Sequence, residues 1–299
     1  MKKIAITGAT GFLGSNLTRL LVQNGLHVCV LKRSTSSISR LGGIDPQMIE
    51  FEDLDTKDAD SLESLSSCQS IVHLATNYGR NQQGLAEIWN DNVVFGLRLA
   101  EQAAVCGVKT FISIGTLLPP GVSPYALSKF HFVNSAQWLN PAMRFISCNF
   151  DHLYGPGDDS QKFLGWLFEN FSRGEGTVPL TKGEQFRDFL YVSDAARAIL
   201  AILNHSDSIE NKASFEIGSG NLVTIRSIVE MAKVAWEKIS GKPLGTFLEF
   251  GNRPYRNIEP NTPKIDISML RNFGWHPEID LQTGLNTLAR WYFEKGNFK

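Results

Sequence analysis

The sequence predicts an α/β protein, a doubly wound parallel sheet followed by a smaller C-terminal α/β lobe. Short apolar runs alternate with amphipathic segments throughout the first half. A glycine-rich turn separates the first apolar run from the first amphipathic segment. Beyond Tyr154-Gly155-Pro156-Gly157 the loops lengthen and the alternation becomes less regular. Strands alternating with helices argue for a parallel sheet covered on both faces.

The elements follow in order. Residues 3–7 are a short apolar run ending at glycine. Residues 12–24 carry Phe12, Leu13, Leu17, Leu20 and Leu21 at helical spacing. Residues 27–31, 48–51 and 71–74 read as the next strands. A long helix is expected over 85–106, closed by Gly107. Residues 110–114 form a buried strand, and Pro124 stands where a helix over 125–139 begins. Residues 144–149 are one more strand. In the second half, helices are expected at 162–172, 193–203, 224–239 and 281–294, with short strands at 177–180, 214–217 and 246–250. The spacing divides the chain into a first domain, 1–155, and a second lobe, 156–299, from which pieces such as 184–204 return to the first.

Composition narrows the function. The chain has 299 residues, 42% of them apolar and 20% charged, and a formal net charge of -1. No basic excess points to nucleic acid or an anionic membrane. Cys29, Cys68, Cys106 and Cys148 form no CxxC pair or zinc pattern, so free thiols in a reducing compartment and no bound metal are expected. The opening Met-Lys-Lys runs at once into Ile-Ala-Ile-Thr-Gly, too short an apolar run for a signal peptide or membrane helix. A cytoplasmic protein without membrane insertion is the expectation. The stripe Phe163, Trp166, Phe168 and Phe171 lacks basic interleaving and reads as core.

Gly8-Ala9-Thr10-Gly11-Phe12-Leu13-Gly14 is a GxxGxxG turn between a strand and an amphipathic helix, the context a Rossmann dinucleotide site demands. Gly8 permits the tight turn, Gly11 clears space for the pyrophosphate, and Gly14 lets the helix pack closely. The helix N-terminus offers N–H groups to the phosphates. After the second strand, Lys32-Arg33-Ser34 stands where an acidic residue would hold the ribose 2′-hydroxyl of NAD. A basic group there suits a 2′-phosphate, so NADP(H) is expected rather than NAD(H). The bland reading is a solvated basic pair. Asp53-Leu54 could bracket the adenine, and Leu74-Ala75-Thr76 could pass under the pyrophosphate; ordinary strand-end packing explains either.

Tyr125 and Lys129 are four residues apart on the expected helix and so share a face. A free phenol, with a pKa near ~10, is a poor acid or base at pH 7. A nearby ammonium lowers that value. Thr116, at the end of the preceding strand, can hydrogen-bond the same reacting oxygen. Thr116, Tyr125 and Lys129 are therefore the expected catalytic set. Tyr78, Asp151, His152 and Lys162 stand in loops, where substrate contacts concentrate.

These motifs resemble the extended short-chain dehydrogenase/reductase family: GATGFLG at 8–14, HLA at 73–75, YxxxK at 125–129, YGPG at 154–157 and Arg187-Asp188-Phe189-Leu190-Tyr191-Val192-Ser193-Asp194. The resemblance runs to Gly274-Trp275-His276-Pro277. It implies a nucleotide-sugar substrate whose diphosphate meets Arg187 and Arg256. It also implies a homodimer built on helices 85–106 and 125–139, whose apolar faces could equally pack only on their own sheet. Three stretches, 73–79, 115–120 and 183–188, are similar to the CDP-paratose and CDP-abequose synthase group. That group implies NADPH-dependent reduction of the 4-keto group of a CDP-linked 3,6-dideoxyhexose in deoxysugar and O-antigen polysaccharide synthesis. Family dehydratases place an acidic pair after the strand-end Thr; here stand Leu117 and Leu118, which cannot move a proton. Two other readings remain: an NAD-dependent 4-epimerase using the same Tyr/Lys pair, and a non-catalytic dinucleotide sensor.

Overall fold

The computed structural model describes residues 2–54, 62–80, 83–255 and 264–297. Arg256 lies outside these described residues. The chain divides into two compact units. The first comprises residues 1–150, 195–217 and 268–275; the second comprises 151–194, 218–267 and 276–299.

The first unit is built on a parallel sheet of β1 (Lys3–Thr7), β2 (His27–Lys32), β3 (Ile49–Asp53), β4 (Ser70–His73), β5 (Thr110–Thr116), β6 (Arg144–Phe150) and, from the second half of the sequence, β10 (Ala213–Ile217). Their order is β3-β2-β1-β4-β5-β6-β10, every neighbouring pair parallel. The order reverses at β1, as in a doubly wound sheet. Central strands are buried along nearly their whole length, β4 at all four positions. The edge strand β10 alternates instead. Burial on both faces demands a continuous apolar run, whereas an edge leaves one face wet.

The intervening helices are α1 (Phe12–Gln23), α2 (Leu85–Trp89), α3 (Phe95–Val105) and α4 (Pro124–Ser135). Ser123 caps α4: its Oγ accepts from Ala126 N at 3.1 Å, and Pro124 takes the first helical position. The helix stops at Ser135, short of the expected 139, because residues 136–138 tighten into a 3₁₀ turn ahead of Pro141. The single helix expected over 85–106 is broken. Between α2 and α3, Asn90–Val94 widens into a π turn. Leu65, Leu99, Phe111 and Phe132 are fully buried in the core of this unit.

The second unit holds β7 (His152–Tyr154), α5 (Phe163–Arg173), β8 (Thr177–Leu180) and β9 (Phe186–Tyr191). It also holds β11 (Leu222–Thr224), α7 (Ile225–Ser240), β12 (Phe247–Phe250) and α9 (Leu281–Asn297). Two further helices, α6 (Val192–His205) and α8 (Ser268–Asn272), belong mostly or wholly to the first unit. Among the described residues, β11-β9-β7 form one small sheet and β12-β8 another. The three-residue strands β7 and β11 are too short to show alternation in sequence. The apolar faces of α5, α7 and α9 meet in a separate core. There Phe168 stacks on Tyr292 at 5.8 Å. Phe168 and Phe171 are fully buried and Phe163 and Trp166 partly so, which makes the aromatic stripe core. The buried carboxylate of Asp194 accepts from the backbone N–H of Glu278 and Ile279 at 3.1 and 3.0 Å, tying the start of α6 to the 276–279 segment.

The described cysteines are free thiols, Cys148 fully buried on β6. No helix among the described residues is long and apolar enough to cross a membrane.

Candidate active site in the first unit

The glycine turn lies against the end of β4. Gly8 has φ +70°, and a Cβ there would fall 2.7 Å from Ala75 N and 2.8 Å from the carbonyl carbon of Leu74. Only glycine tolerates both constraints. A Cβ on Gly14 would fall 2.1 Å from Gly8 O, so Gly14 is required by the turn itself rather than by packing on the sheet. At Gly11 a Cβ would meet only Gly8 O, at 3.2 Å. The space above Gly11 is open. Helix α1 begins there with no side-chain cap and no acidic residue in its first turn. Its N-terminal N–H groups and positive dipole end are thus available to an anion. Thr10, Phe12 and Leu13 complete the turn, partly exposed.

Thr7 ties β1 to β4 beside this turn. Its Oγ1 lies 2.7 Å from Nδ1 of His73 and accepts from Ala75 N at 3.2 Å. Thr76 Oγ1 donates to Leu74 O. His73 is fully buried among the rings of Phe95, Phe111 and Phe132. Burial, with the Lys129 charge adding to it, pushes its imidazole down to about 3. It is neutral at physiological pH.

At the second strand the expected residues separate. Lys32 is bonded to Asp53, its register partner on β3, so its ammonium is committed to that carboxylate. The Leu54 side chain is buried in the core rather than open to a ligand, because Leu54 N donates to Lys32 O and continues the ladder. Arg33 and Ser34 stand exposed just beyond β2. Among the described residues no acid pairs with the Arg33 guanidinium.

Thr116 ends β5, opposite Phe150. Its Oγ1 accepts from Leu118 N at 3.2 Å, and its hydroxyl acts to lower the nearby Tyr125 phenol. The phenol of Tyr125 is pushed well above its usual range, first by burial, then by Tyr78; the Thr116 hydroxyl and the charge of Arg80 oppose this. The sequence argument expects Lys129 to lower that phenol. Instead Lys129 is itself buried, 2% exposed, and burial pushes its ammonium down to about 7. Its Nζ finds no hydrogen-bond partner among the described residues. A buried amine that has shed part of its charge is a weak stabiliser of a phenolate.

Asn92, beside the candidate site, is a residue that sequence reasoning missed. It is fully buried within the π turn. Its Oδ1 accepts from Asn77 N at 2.7 Å, and its Nδ2 donates to Asn77 O at 2.7 Å and to Ser128 Oγ at 2.9 Å. Ser128 in turn donates to Tyr125 O at 2.8 Å. One amide therefore links the loop after β4 to the helix carrying Tyr125 and Lys129. The available signal was a lone polar side chain on the buried stripe Ile88, Asn92, Phe95, Leu99.

The second unit holds the other candidates. Asp151 lies 2.8 Å from Nδ1 of His152 and accepts from Asp188 N at 3.0 Å. Lys162 is paired with Asp158 at 2.8 Å. Arg187 is buried on β9, its Nη1 donating to Phe186 O at 2.7 Å. Asp188 receives the N–H groups of Ser219 and Gly220 at 2.6 and 2.8 Å.

The glycine turn, the uncapped helix and the unpartnered Lys129 ammonium fit a dinucleotide. The model of the NAD dependent epimerase/dehydratase family matches residues 4–218. The chain belongs to that family. It is an enzyme of the short-chain dehydrogenase/reductase type, as the sequence motifs imply. Among curated family relatives, the CDP-abequose synthase of Salmonella muenchen is 27% identical over 299 residues, covering 96% of this chain and 97% of the relative. That of Salmonella typhimurium is 24% identical over 295 residues with the same coverage. Among solved structures, the dTDP-glucose 4,6-dehydratase of Bacillus anthracis in complex with NAD superposes with a TM-score of 0.81 at 20% identity, covering 100% of this chain and 98% of that one. The UDP-glucose 4-epimerase of Thermotoga maritima with UDP-glucose gives 0.79 at 22%, covering 99% and 100%. These likenesses establish the fold.

Proposed function

We propose that the chain reduces the 4-keto group of a nucleotide-linked 6-deoxyhexose with NADPH, a CDP-linked 3,6-dideoxy sugar being the first candidate. The observation that carries this reading is the state of Tyr125. A phenol held above its usual range by burial, beside the end of the strand that carries Thr116, keeps its proton at pH 7. That suits an acid that protonates a forming alkoxide. An epimerase must begin with Tyr125 as a base, and the raised phenol works against it. Leu117 and Leu118 follow Thr116 and offer no second proton carrier for dehydration. The CDP-abequose synthases that match nearly the whole chain support the CDP-sugar class.

The dinucleotide, when bound, supplies the hydride. The chain's own residues do the rest. Gly8, Gly11 and the α1 N-terminus hold the pyrophosphate. Lys129 donates to the nicotinamide ribose. Arg33 holds the 2′-phosphate, and its freedom from an acidic partner among the described residues supports NADPH. NAD in the solved relatives keeps NAD(H) as the alternative. Thr116 and Tyr125 aim donors at the oxygen on C4, where charge develops, and stabilise the transition state more than the ketone. In the second unit, Arg187 binds the sugar nucleotide's diphosphate. Homodimerisation through α3 and α4 is supported by the exposure of Phe130 and of Trp138, 91% exposed just past α4.

The test mixes the protein with NADPH and a panel of CDP-, dTDP-, UDP- and GDP-linked 4-keto-6-deoxy sugars and follows loss of the reduced nicotinamide absorbance. Rapid consumption with one carrier is expected. Tyr125→Phe should bind NADPH normally and lose roughly two to four decades of turnover. No consumption with any carrier, together with retained NAD⁺, selects the epimerase instead.

A further inference from the structure

The loop after β4 is fixed on both sides of Tyr78. Asn77 is held by two bonds to Asn92 and donates from Nδ2 to Asp91 at 2.9 Å. Gly79 N donates to Asn77 Oδ1 at 2.9 Å. Gly79 has φ +67°, and the space a Cβ would occupy is filled by Ile88 Cδ1 at 2.6 Å. Tyr78 is thereby set against the catalytic helix, its ring centroid 4.8 Å from that of Tyr125 at an interplanar angle of 39°. The guanidinium of Arg80 lies over the Tyr78 ring, Cζ 4.9 Å from the centroid.

We propose that Tyr78 and Arg80 are positioning residues for Tyr125: Tyr78 fixes the orientation of the phenol ring, and Arg80, seated on Tyr78, supplies the cationic field at its hydroxyl. This rests on the reading of Tyr125 as the proton-transferring group, and it reassigns Tyr78 from a substrate contact to a support. Among the described residues, the groups that bear on the phenol are Thr116 from β5 and Tyr78 and Arg80 from this loop; Lys129 lies one turn on along the same helix. Of the two cations, Arg80 acts to lower the phenol, while buried Lys129 is partly discharged near neutrality. An aromatic face draws a cation, so Tyr78 is the platform that keeps Arg80 in range. A fixed ring also keeps the hydroxyl within the narrow geometry that proton transfer needs.

The test needs no substrate. Tetranitromethane nitrates phenolate, and peptide mass spectrometry resolves Tyr125 from the other tyrosines. At pH 8 the Tyr125 rate tracks its phenolate fraction. Arg80→Gln should slow nitration of Tyr125 by about three- to tenfold, the equivalent of half to one pKa unit. Arg80→Lys should restore most of the rate, and Tyr78→Phe, which keeps the ring, should retain at least the parent rate. In a Tyr78→Ala background, Arg80→Gln should change little. With the sugar substrate, Arg80→Gln should lower kcat, leave KM near the parent value, and move the onset of alcohol oxidation to higher pH. An unchanged Tyr125 nitration rate in Arg80→Gln overturns the proposal, as does a loss confined to KM, which would make Arg80 a substrate contact. Nitration that behaves as expected while no keto sugar is reduced leaves the clamp standing and removes only the reductase reading.

Discussion

A Cβ on Gly14 would fall 2.1 Å from the carbonyl oxygen of Gly8. No real pair of atoms of that kind approaches so closely, so Gly14→Ala must displace the turn at Gly8 and Ala9 or the helix start. It should lose about 1–3 kcal/mol of stability by urea denaturation and weaken dinucleotide binding. Gly11→Ala is the contrast. Its Cβ would meet only Gly8 O at 3.2 Å, so stability should barely change while affinity for the dinucleotide, by fluorescence titration, still falls.

Lys129 should make stability depend on pH. The unfolded chain holds the ammonium proton up to about 10.5, and the fold releases it near 7. Between those values the unfolded state binds more protons, so this group makes stability rise with pH across that window. Lys129→Met removes the contribution. The variant should be more stable than the parent below pH 7, by on the order of a few kcal/mol, and the difference should close toward pH 10.5. Denaturant melts at pH 6, 8 and 10 without dinucleotide check the sign.

Asn92→Ala would strand two buried polar groups, Asn77 N–H and Asn77 C=O, while Ser128 Oγ keeps its bond to Tyr125 O. Each costs about 1–3 kcal/mol when unsatisfied, and the loop after β4 loses its anchor. Lower thermal stability and a turnover loss larger than any change in NADPH affinity are expected. Asn92→Asp keeps the acceptor and should be intermediate.

Arg33→Ala should lower NADPH affinity roughly ten- to hundredfold, the worth of a hydrogen bond to a charged group, and leave NADH affinity unchanged. Equal effects on both cofactors, measured by isothermal titration, would place Arg33 outside the 2′-phosphate site.

Local signals carried much of the outcome. Glycines at 8, 11 and 14, a strand before them and an amphipathic helix after them sufficed for the turn. The Tyr125/Lys129 spacing sufficed for a shared face. Strands β1 and β8 match their expected bounds, the first stopping at Gly8 and the second starting after Gly176. The π turn was not legible, and the Asn92 it carries is bonded to Asn77, fifteen residues away in sequence. Neither was the final place of residues 213–217. A five-residue alternating strand does not say which sheet it joins, and β10 pairs with β6 of the first unit.

What the sequence by itself determined is therefore the set of parts: a glycine turn between strand and helix, a Tyr/Lys pair on one helix face, a doubly wound sheet and a family. What only the tertiary structure decided is how those parts are charged and held. Lys32 is bound to Asp53, Leu54 is inside the core, Lys129 is partly neutral, and Tyr125 is kept protonated beneath Tyr78. Backbone periodicity and turn chemistry act between near neighbours and are written in the residue order. Desolvation and field effects depend on which distant side chains crowd a group, and that is settled only when the chain has folded.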